Sequence, residues 1–213
     1  MEKFNADRLV TINVDMQNDF MPGGSLAVPN GDTFFGELNR MNEFTRRQNG
    51  LVVFTGDQHP PTTPHFGPDA WPVHCVAGTR GAQLDHRLNV TANDIILDKG
   101  MGQTDGYSAF EGFTRDNRTL EQIVRPARRE RVAALISGVA TEYCVKNTVM
   151  DGLKVSQNGG ELKVFVARDA IHGINEKDVA TAMDTMRKAG AIIINSAQVL
   201  NGEAFQLTDQ QGN

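Results

Sequence analysis

The sequence predicts an α/β protein: a three-layer α/β/α sandwich around a central six-stranded, mainly parallel sheet of the Rossmann-like type. Short apolar runs rich in β-branched residues alternate along the chain with segments of helical periodicity. The apolar runs are nearly continuous, which is typical of strands that are buried on both faces. Alternation of strands and helices also implies parallel pairing through right-handed crossovers.

Six apolar runs are the candidate strands. They span residues 8–14, 51–55, 94–97, 131–137, 161–167 and 191–194. Runs this short, bounded by turn residues and rich in Val and Ile, favour strands over helices.

Three segments between these strands carry helix start and stop signals. The expected N-caps are Asp32, Thr141 and Asn175, and the expected ends are Gly50, Gly152 and Gly190. The first helix should bury one face, formed by Phe34, Leu38 and Met41. The third should do the same with Val179, Met183 and Met186.

The chain length indicates a single domain over residues 1–213. A chain of 213 residues, with 39% hydrophobic and 22% charged residues, can bury one full core. The largest irregular stretch, at about 56–92, is expected to be an insertion in this domain. A loop of that length inside a compact domain is usually functional.

Composition and charge exclude several classes of function. The net charge of −5 and the lack of a long Lys/Arg run argue against nucleic-acid binding. No apolar run approaches the roughly 18 residues of a membrane span. With two separated cysteines and no apolar N-terminal signal region, we expect a cytoplasmic protein. Whether the chain forms a homo-oligomer is left open.

A glycine pattern at 100–106, GMGQTDG, resembles a dinucleotide-binding fingerprint. Its third glycine is misplaced, and the segment leads into no clear helix. We therefore expect no nucleotide cofactor.

Reactive side chains follow four of the predicted strands. Asp15 comes directly after the first strand, Asp57 and His59 after the second, and Lys99 after the third. Cys144 follows the fourth strand, just inside the next helix. Because parallel sheets bind ligands at the carboxyl ends of their strands, these side chains are expected to converge on one site.

Cys144 is the candidate nucleophile. With Thr141 as N-cap, it is the third helical residue, close to unpaired backbone N–H groups and the positive end of the helix dipole. That environment lowers the pKa of a thiol and favours the thiolate. The alternative is a small buried apolar residue, the commonest role of a free cysteine. For Cys75, which has no helix start beside it, the structural interpretation is favoured.

Asp15 and Lys99 are the candidate partners of this thiol. An aspartate can accept the thiol proton and later give it to a leaving amine. A nearby lysine favours the thiolate and modulates the carboxylate. Taken singly, Asp15 fits a turn aspartate and Lys99 a surface lysine. Together with Cys144 they favour catalysis.

These motifs resemble the nicotinamidase/pyrazinamidase branch of the isochorismatase-like cysteine hydrolases. The matching segments, in the same order, are VDMQNDFMPGGSLAV, GDQH, WPVHCVAGTRGAQL, KGMGQTDGYSAF and GVATEYCV. The resemblance implies metal-dependent hydrolysis of nicotinamide, and of pyrazinamide, to the acid and ammonia through a cysteine thioester. The alternative within the superfamily is another amide or carbamoyl substrate.

The same resemblance assigns roles to particular residues. It implies a catalytic triad of Asp15, Lys99 and Cys144. It also implies a cis peptide between Val139 and Ala140, and an oxyanion hole formed by the backbone N–H groups of Ala140 and Cys144. The expected pocket walls are Phe20, Leu26, Trp71 and Tyr107.

Three of the five histidines lie between residues 56 and 75. The resemblance implies that Asp57, His59 and His74 bind a metal ion, and His65 is a fourth candidate from the same loop. Mixed oxygen and imidazole ligands suit Zn²⁺, Fe²⁺ or Mn²⁺. The alternative is that these histidines only make hydrogen bonds within the loop. A non-enzymatic metal or redox module and a nucleotide-binding protein are the rival classes.

Overall fold

The protein is built around one twisted sheet. The structure, a computed structural model, describes residues 3–102 and 105–208. Its strands are β1 Phe4–Ala6, β2 Arg8–Val14, β3 Leu51–Asp57, β4 Ile95–Lys99, β5 Phe113–Thr114, β6 Arg131–Val139, β7 Glu161–His172, β8 Ile192–Ile194 and β9 Phe205–Leu207. Its α-helices are α1 Phe35–Arg47, α2 Leu120–Val124, α3 Lys146–Gly152, α4 Glu176–Ala189 and α5 Ser196–Leu200.

The six predicted parallel strands are confirmed. In the described part of the chain the main sheet has seven strands in the order β5-β4-β3-β2-β6-β7-β8. Every neighbouring pair is parallel except β4 and β5. The two-residue strand β5 was not predicted, nor was the separate parallel pair of β1 and β9. Residues 103 and 104 of the 100–106 glycine pattern lie outside the described residues.

Helices cover both faces of the sheet, as the three-layer prediction requires. Alternate residues of β2 point to opposite faces, so that Leu9 joins one core while Val10 and Ile12 join the other. The first core contains the buried faces of α1 and α5, and the second those of α2, α3 and α4. Among residues 3–102 and 105–208, no helix has both the length and the apolar character needed to cross a membrane.

Two of the three predicted helix caps are wrong. The side chain of Asn175 does cap α4, and Gly190 ends that helix with φ 112°. Helix α1, however, begins after Phe34, and the carboxylate of Asp32 accepts a hydrogen bond from Arg87 at 3.0 Å. The predicted cap Thr141 is itself the first residue of the turn that leads into α3, and the residue at the cap position is Ala140.

The first helix also ends earlier than predicted. Its last residue is Arg47, and the left-handed residue that follows is Asn49, with φ 54°, in place of the predicted Gly50. Its predicted core face is confirmed, since Leu38 and Met41 are buried.

The sheet brings the carboxyl ends of its central strands to one edge. Val14 of β2 pairs with Gly138 of β6, and Asp57 of β3 pairs with Lys99 of β4. The strand order reverses between β2 and β6, which is where parallel sheets open a crevice for ligands. Gly138 has φ 116°, and a Cβ there would lie 2.1 Å from the carbonyl oxygen of Val14. Only glycine allows β6 to pass this close to β2.

Candidate active site

Asp15 is held in place by the end of the neighbouring strand. It is the first residue after β2, it is fully buried, and its φ of 52° is unusual for a residue with a side chain. The hydroxyl of Thr55 accepts the Asp15 backbone N–H at 3.2 Å and donates to Oδ1 at 2.6 Å. Thr55 thereby fixes both the backbone and the carboxylate of Asp15.

Lys99 is a fully buried cation between two carboxylates. Its Nζ lies 2.8 Å from Asp15 Oδ2 and 2.7 Å from Asp57 Oδ1. It also donates to the carbonyl of Gly106 at 3.1 Å and to Cys144 Sγ at 3.5 Å. A buried charge needs partners of this kind, and here one of those partners is the thiol.

Cys144 lies in a wide turn that joins β6 to α3. The turn spans Thr141–Val145, and the N–H of Val145 reaches back to the carbonyl of Ala140 at 3.2 Å. The peptide between Val139 and Ala140 is cis. The reactive atoms of Asp15, Asp57 and Cys144 lie within 4.8 Å of one another. Because Lys99 contacts both Asp15 and Cys144, the structure brings together the three residues expected to form the triad.

The pKa of the Cys144 thiol is raised, whereas the sequence predicts that it is lowered. Burial raises the pKa of its thiol well above the usual range, and the opposing influence of Lys99 does not offset this. Burial also raises the pKa of Asp15. Burial disfavours the charged form of Lys99, but the Asp15 and Asp57 carboxylates outweigh it and hold its pKa well above the usual range. Burial therefore favours the protonated thiol of Cys144, and a carboxylate oxygen of Asp15 lies within 4.8 Å of its sulfur.

Three buried imidazoles face one another beside this group. The candidate ligand nitrogens of His59, His65 and His74 lie within 4.8 Å of one another. Each Nδ1 has its own partner: the carbonyl of Gly100 for His59, the carboxylate of Asp105 for His65 and the carbonyl of Pro72 for His74, at 2.9, 2.8 and 2.7 Å. With Nδ1 carrying the proton, each Nε2 keeps its lone pair.

This arrangement fits a divalent metal ion. Nε2 of His59 is buried and has no hydrogen-bond partner among the described residues. Burial, followed by the charge His74 would carry, lowers the pKa of His59 to about 4, and burial lowers the pKa of His74. Neutral imidazoles with Nδ1 held by an oxygen acceptor are the usual metal-binding form. Three such nitrogens are the donor set of many zinc sites.

Asp57 lies between the imidazoles and the triad candidates. Its Oδ1 forms the ion pair with Lys99, while Oδ2 lies 3.7 Å from His59 Nε2. Gln17 fixes the backbone of Asp57, since its amide accepts the Asp57 N–H and donates to the Asp57 carbonyl, both at 2.8 Å. One carboxylate therefore faces both halves of the site.

The two halves open into one cavity with aromatic walls. It is lined by all four expected wall residues, Phe20, Leu26, Trp71 and Tyr107, and by Cys144, Ala140, Asp57, His65 and His74. The indole N–H of Trp71 donates to the hydroxyl of Tyr107 at 2.8 Å, so these two walls brace each other.

The sequence of this chain also matches the model of a known protein family. The model described as the Isochorismatase domain matches residues 10–198. The chain belongs to the isochorismatase family.

Individual relatives and a solved structure resemble the chain over most of its length. The nicotinamidase of Escherichia coli is 34% identical over an alignment of 205 residues that covers 86% of this chain and 93% of that protein. The nicotinamidase/pyrazinamidase of Mycobacterium tuberculosis is 33% identical over 193 residues, 87% and 98% of the two chains. The crystal structure of the pyrazinamidase of Pyrococcus horikoshii in complex with zinc superposes with a TM-score of 0.74 at 35% identity, covering 88% of this chain and 99% of that one.

Several residues of this isochorismatase-family site were not anticipated. Val28, Tyr143 and Ile174 also line the cavity. Glu142 accepts the backbone N–H groups of Ile174 and Asn175 at 2.8 and 3.0 Å, and so ties the nucleophile turn to the cavity wall. The one feature of the sequence that could have pointed to Glu142 is its position, two residues before the candidate nucleophile Cys144.

The second cysteine and the two remaining histidines are not among the residues that line the cavity. Cys75 is buried, and burial raises the pKa of its thiol far above the usual range. The side chain of His86 is 87% exposed. His172 stacks on Phe34 with ring centroids 5.2 Å apart.

Proposed function

We propose that this chain is a metal-dependent amidohydrolase that converts nicotinamide to nicotinate and ammonia and also accepts pyrazinamide. One observation carries the proposal: the same aromatic cavity is lined by Cys144, whose sulfur Lys99 contacts, and by His65 and His74 of the three-imidazole cluster. The nicotinamidase and pyrazinamidase relatives support the same substrates.

The residues proposed to hold the metal are His59, His65 and His74, with Asp57 contributing its free oxygen. The donor set suits Zn²⁺, Fe²⁺ or Mn²⁺, and the zinc complex of the pyrazinamidase from Pyrococcus horikoshii favours Zn²⁺. When bound, the ion supplies a Lewis-acid anchor for the ring nitrogen of the substrate.

In the proposed first half-reaction, Cys144 attacks the carboxamide carbon. Asp15 accepts the thiol proton as the C–S bond forms, and the ammonium of Lys99 stabilises the negative charge that develops on the sulfur of Cys144. Backbone N–H groups of Ala140 and Cys144 hold the tetrahedral oxyanion. Asp15 then gives the proton to the amide nitrogen, the C–N bond breaks, and ammonia leaves.

In the second half-reaction, water cleaves the thioester. Asp15 removes a proton from the water, whose oxygen attacks the acyl carbon. The C–S bond then breaks, Asp15 returns the proton to the Cys144 sulfur, and the released acid ionises to nicotinate. The ring is flanked by Phe20 and Trp71, which position the acyl group in both steps.

Ammonia release from the purified, metal-loaded protein tests this proposal. We expect turnover of nicotinamide and pyrazinamide that depends on added Zn²⁺, Fe²⁺ or Mn²⁺. The alternative substrate class is another amide or a carbamoyl compound, and N-carbamoyl amino acids represent it in the same assay. Turnover of the carbamoyl compounds, without turnover of the pyridine amides, would contradict the proposal.

A further inference from the structure

Three consecutive side chains after the turn at Asp15 reach across to the loop that carries the histidines. Gln17 holds the backbone of Asp57. Asn18 donates to the carbonyls of Arg80 and Gln83 at 2.8 and 3.1 Å. Asp19 accepts the backbone N–H of Cys75 through Oδ2 at 2.7 Å. Each side chain thus binds the main chain of the loop at a different point.

The bond from Asp19 is made at the peptide that follows His74. The N–H of Cys75 belongs to the peptide group joining His74 to Cys75, so the carboxylate restrains the main chain of His74 directly. Cys75 also has φ 44°, a left-handed conformation that costs energy in a residue with a Cβ. The Asp19 oxygen, 2.7 Å from the Cys75 nitrogen, holds this peptide in that conformation.

The Cys75 carbonyl accepts the His59 N–H at 2.9 Å, and the buried His74 ring packs against the rings of Phe20, His59, His65 and Phe66. The Nδ1 of His74 bonds to the carbonyl of Pro72, which belongs to the same short segment. The preceding residue, Val73, is 58% exposed and so provides little packing. Pro72 sets the orientation of the ring within the segment, whereas Asp19 ties the segment to the turn after β2. Asp19 lies next to Phe20, on the wall that His74 contacts with ring centroids 5.5 Å apart.

We propose that Asp19 is a positioning residue for metal binding, acting through the Cys75 backbone to hold His74 Nε2 at the three-imidazole site. The inference rests on the proposed function only in that the imidazoles bind a metal ion. Residues that orient metal ligands without touching the metal typically change its affinity by roughly 10–100-fold.

A second variant displaces the same carboxylate without removing it. A Cβ added at Gly81 would lie 2.0 Å from Asp19 Oδ2, and the nearest atoms all belong to the Asp19 side chain. Because that side chain can move more easily than backbone, Gly81→Ala should push the carboxylate away from the Cys75 N–H.

The test is the Zn²⁺ affinity of the purified full chain, measured by competition with a chromophoric chelator. We expect Asp19→Ala and Gly81→Ala each to weaken binding by roughly 10–100-fold. Asp19→Asn keeps an oxygen acceptor for the Cys75 N–H and should stay within about threefold of wild type. Asn18→Ala is the matched control, since it also removes bonds to the loop, at points away from the ligands, and should stay within the same about threefold range.

The outcomes separate this inference from the proposed function. Wild-type protein that binds no Zn²⁺ contradicts the metal site itself, and this inference with it. Tight wild-type binding that Asp19→Ala and Gly81→Ala leave unchanged contradicts this inference alone. An equal loss in Asn18→Ala would mean that the loop as a whole is loosened, and an equal loss in Asp19→Asn would assign the effect to charge. Either result overturns the positioning argument.

Discussion

Lys99→Ala should destabilise the protein as well as inactivate it. The ammonium of Lys99 is fully buried and lies within 2.8 Å of the Asp15 and Asp57 carboxylates. Its removal leaves two buried carboxylates facing each other without a counter-charge. Breaking a buried ion pair in this way typically costs about 3–5 kcal/mol. For a domain of this size, that corresponds to a fall in Tm of roughly 6–20 °C.

A double variant separates the stability effect from the catalytic one. Asp15→Asn removes one of the two carboxylate charges that Lys99 neutralises. In the Lys99→Ala background it should therefore recover about 0.5–3 kcal/mol relative to the sum of the single losses. Activity should not recover, because residues that act as one catalytic unit do not contribute additively.

Urea unfolding and ammonia release on the same four proteins measure both effects. The four are the wild type, the two single variants and the double variant, all loaded with the same metal. A loss below about 1 kcal/mol for Lys99→Ala would mean that the buried charges are better solvated than the structure indicates. Independent, multiplying losses of activity would show that Asp15 and Lys99 serve separate purposes.

Three further predictions concern the nucleophile, the metal and the substrate. Cys144→Ala should lower kcat by roughly 10⁴-fold or more and leave the fold intact. An inactive Cys75→Ala variant together with an active Cys144→Ala variant would contradict the assignment of Cys144 as the nucleophile. A chelator should abolish ammonia release, and His74→Ala should weaken Zn²⁺ retention by at least roughly tenfold, whereas the exposed His86→Ala control should not. Benzamide, which lacks the ring nitrogen, should react with a kcat/KM at least about a hundredfold below that of nicotinamide while pyrazinamide is accepted; comparable benzamide rates would show that the ring nitrogen is not anchored.

The sheet could be predicted because its signal is local. Strands β2, β3 and β6 are buried on both faces, which leaves a continuous apolar pattern in the sequence, and β4, β7 and β8 also carry apolar runs although they are only partly buried. Strands β1, β5 and β9 have two or three residues and no such pattern. Their pairing depends on which segments the rest of the fold places side by side.

The errors at the helix starts have a common physical cause. Asp32 is a good capping residue, but a distant arginine, Arg87, competes for its carboxylate. Thr141 is also a good cap, but the turn that it begins is wider than an α-helix. Burial of Cys144 then raises the pKa of a thiol that the helix start alone would lower. In each case a contact or a degree of burial set by tertiary structure outweighs the local preference.

The convergence of Asp15, Lys99 and Cys144 could be predicted from topology, since each lies at or just after the carboxyl end of a parallel strand. The residues that hold them in place could not. Thr55 is one of many buried polar residues, and its two bonds to Asp15 depend on the register between β2 and β3. Ile174 comes to the cavity from a loop after β7, where nothing in the sequence distinguishes it from a surface residue.

Asp57 explains why the histidine loop and the triad candidates occupy one site. Its Oδ1 neutralises Lys99, and its Oδ2 faces His59, so a single buried carboxylate serves both groups. Because Asp57 ends β3 while His59 begins the long loop, the sheet fixes the loop at the point where the imidazoles converge. Lys99 ends the next strand, and its contact with Cys144 completes the connection from the loop to the nucleophile. A change that moves Asp57 is therefore expected to disturb metal binding and the charge balance around the thiol together.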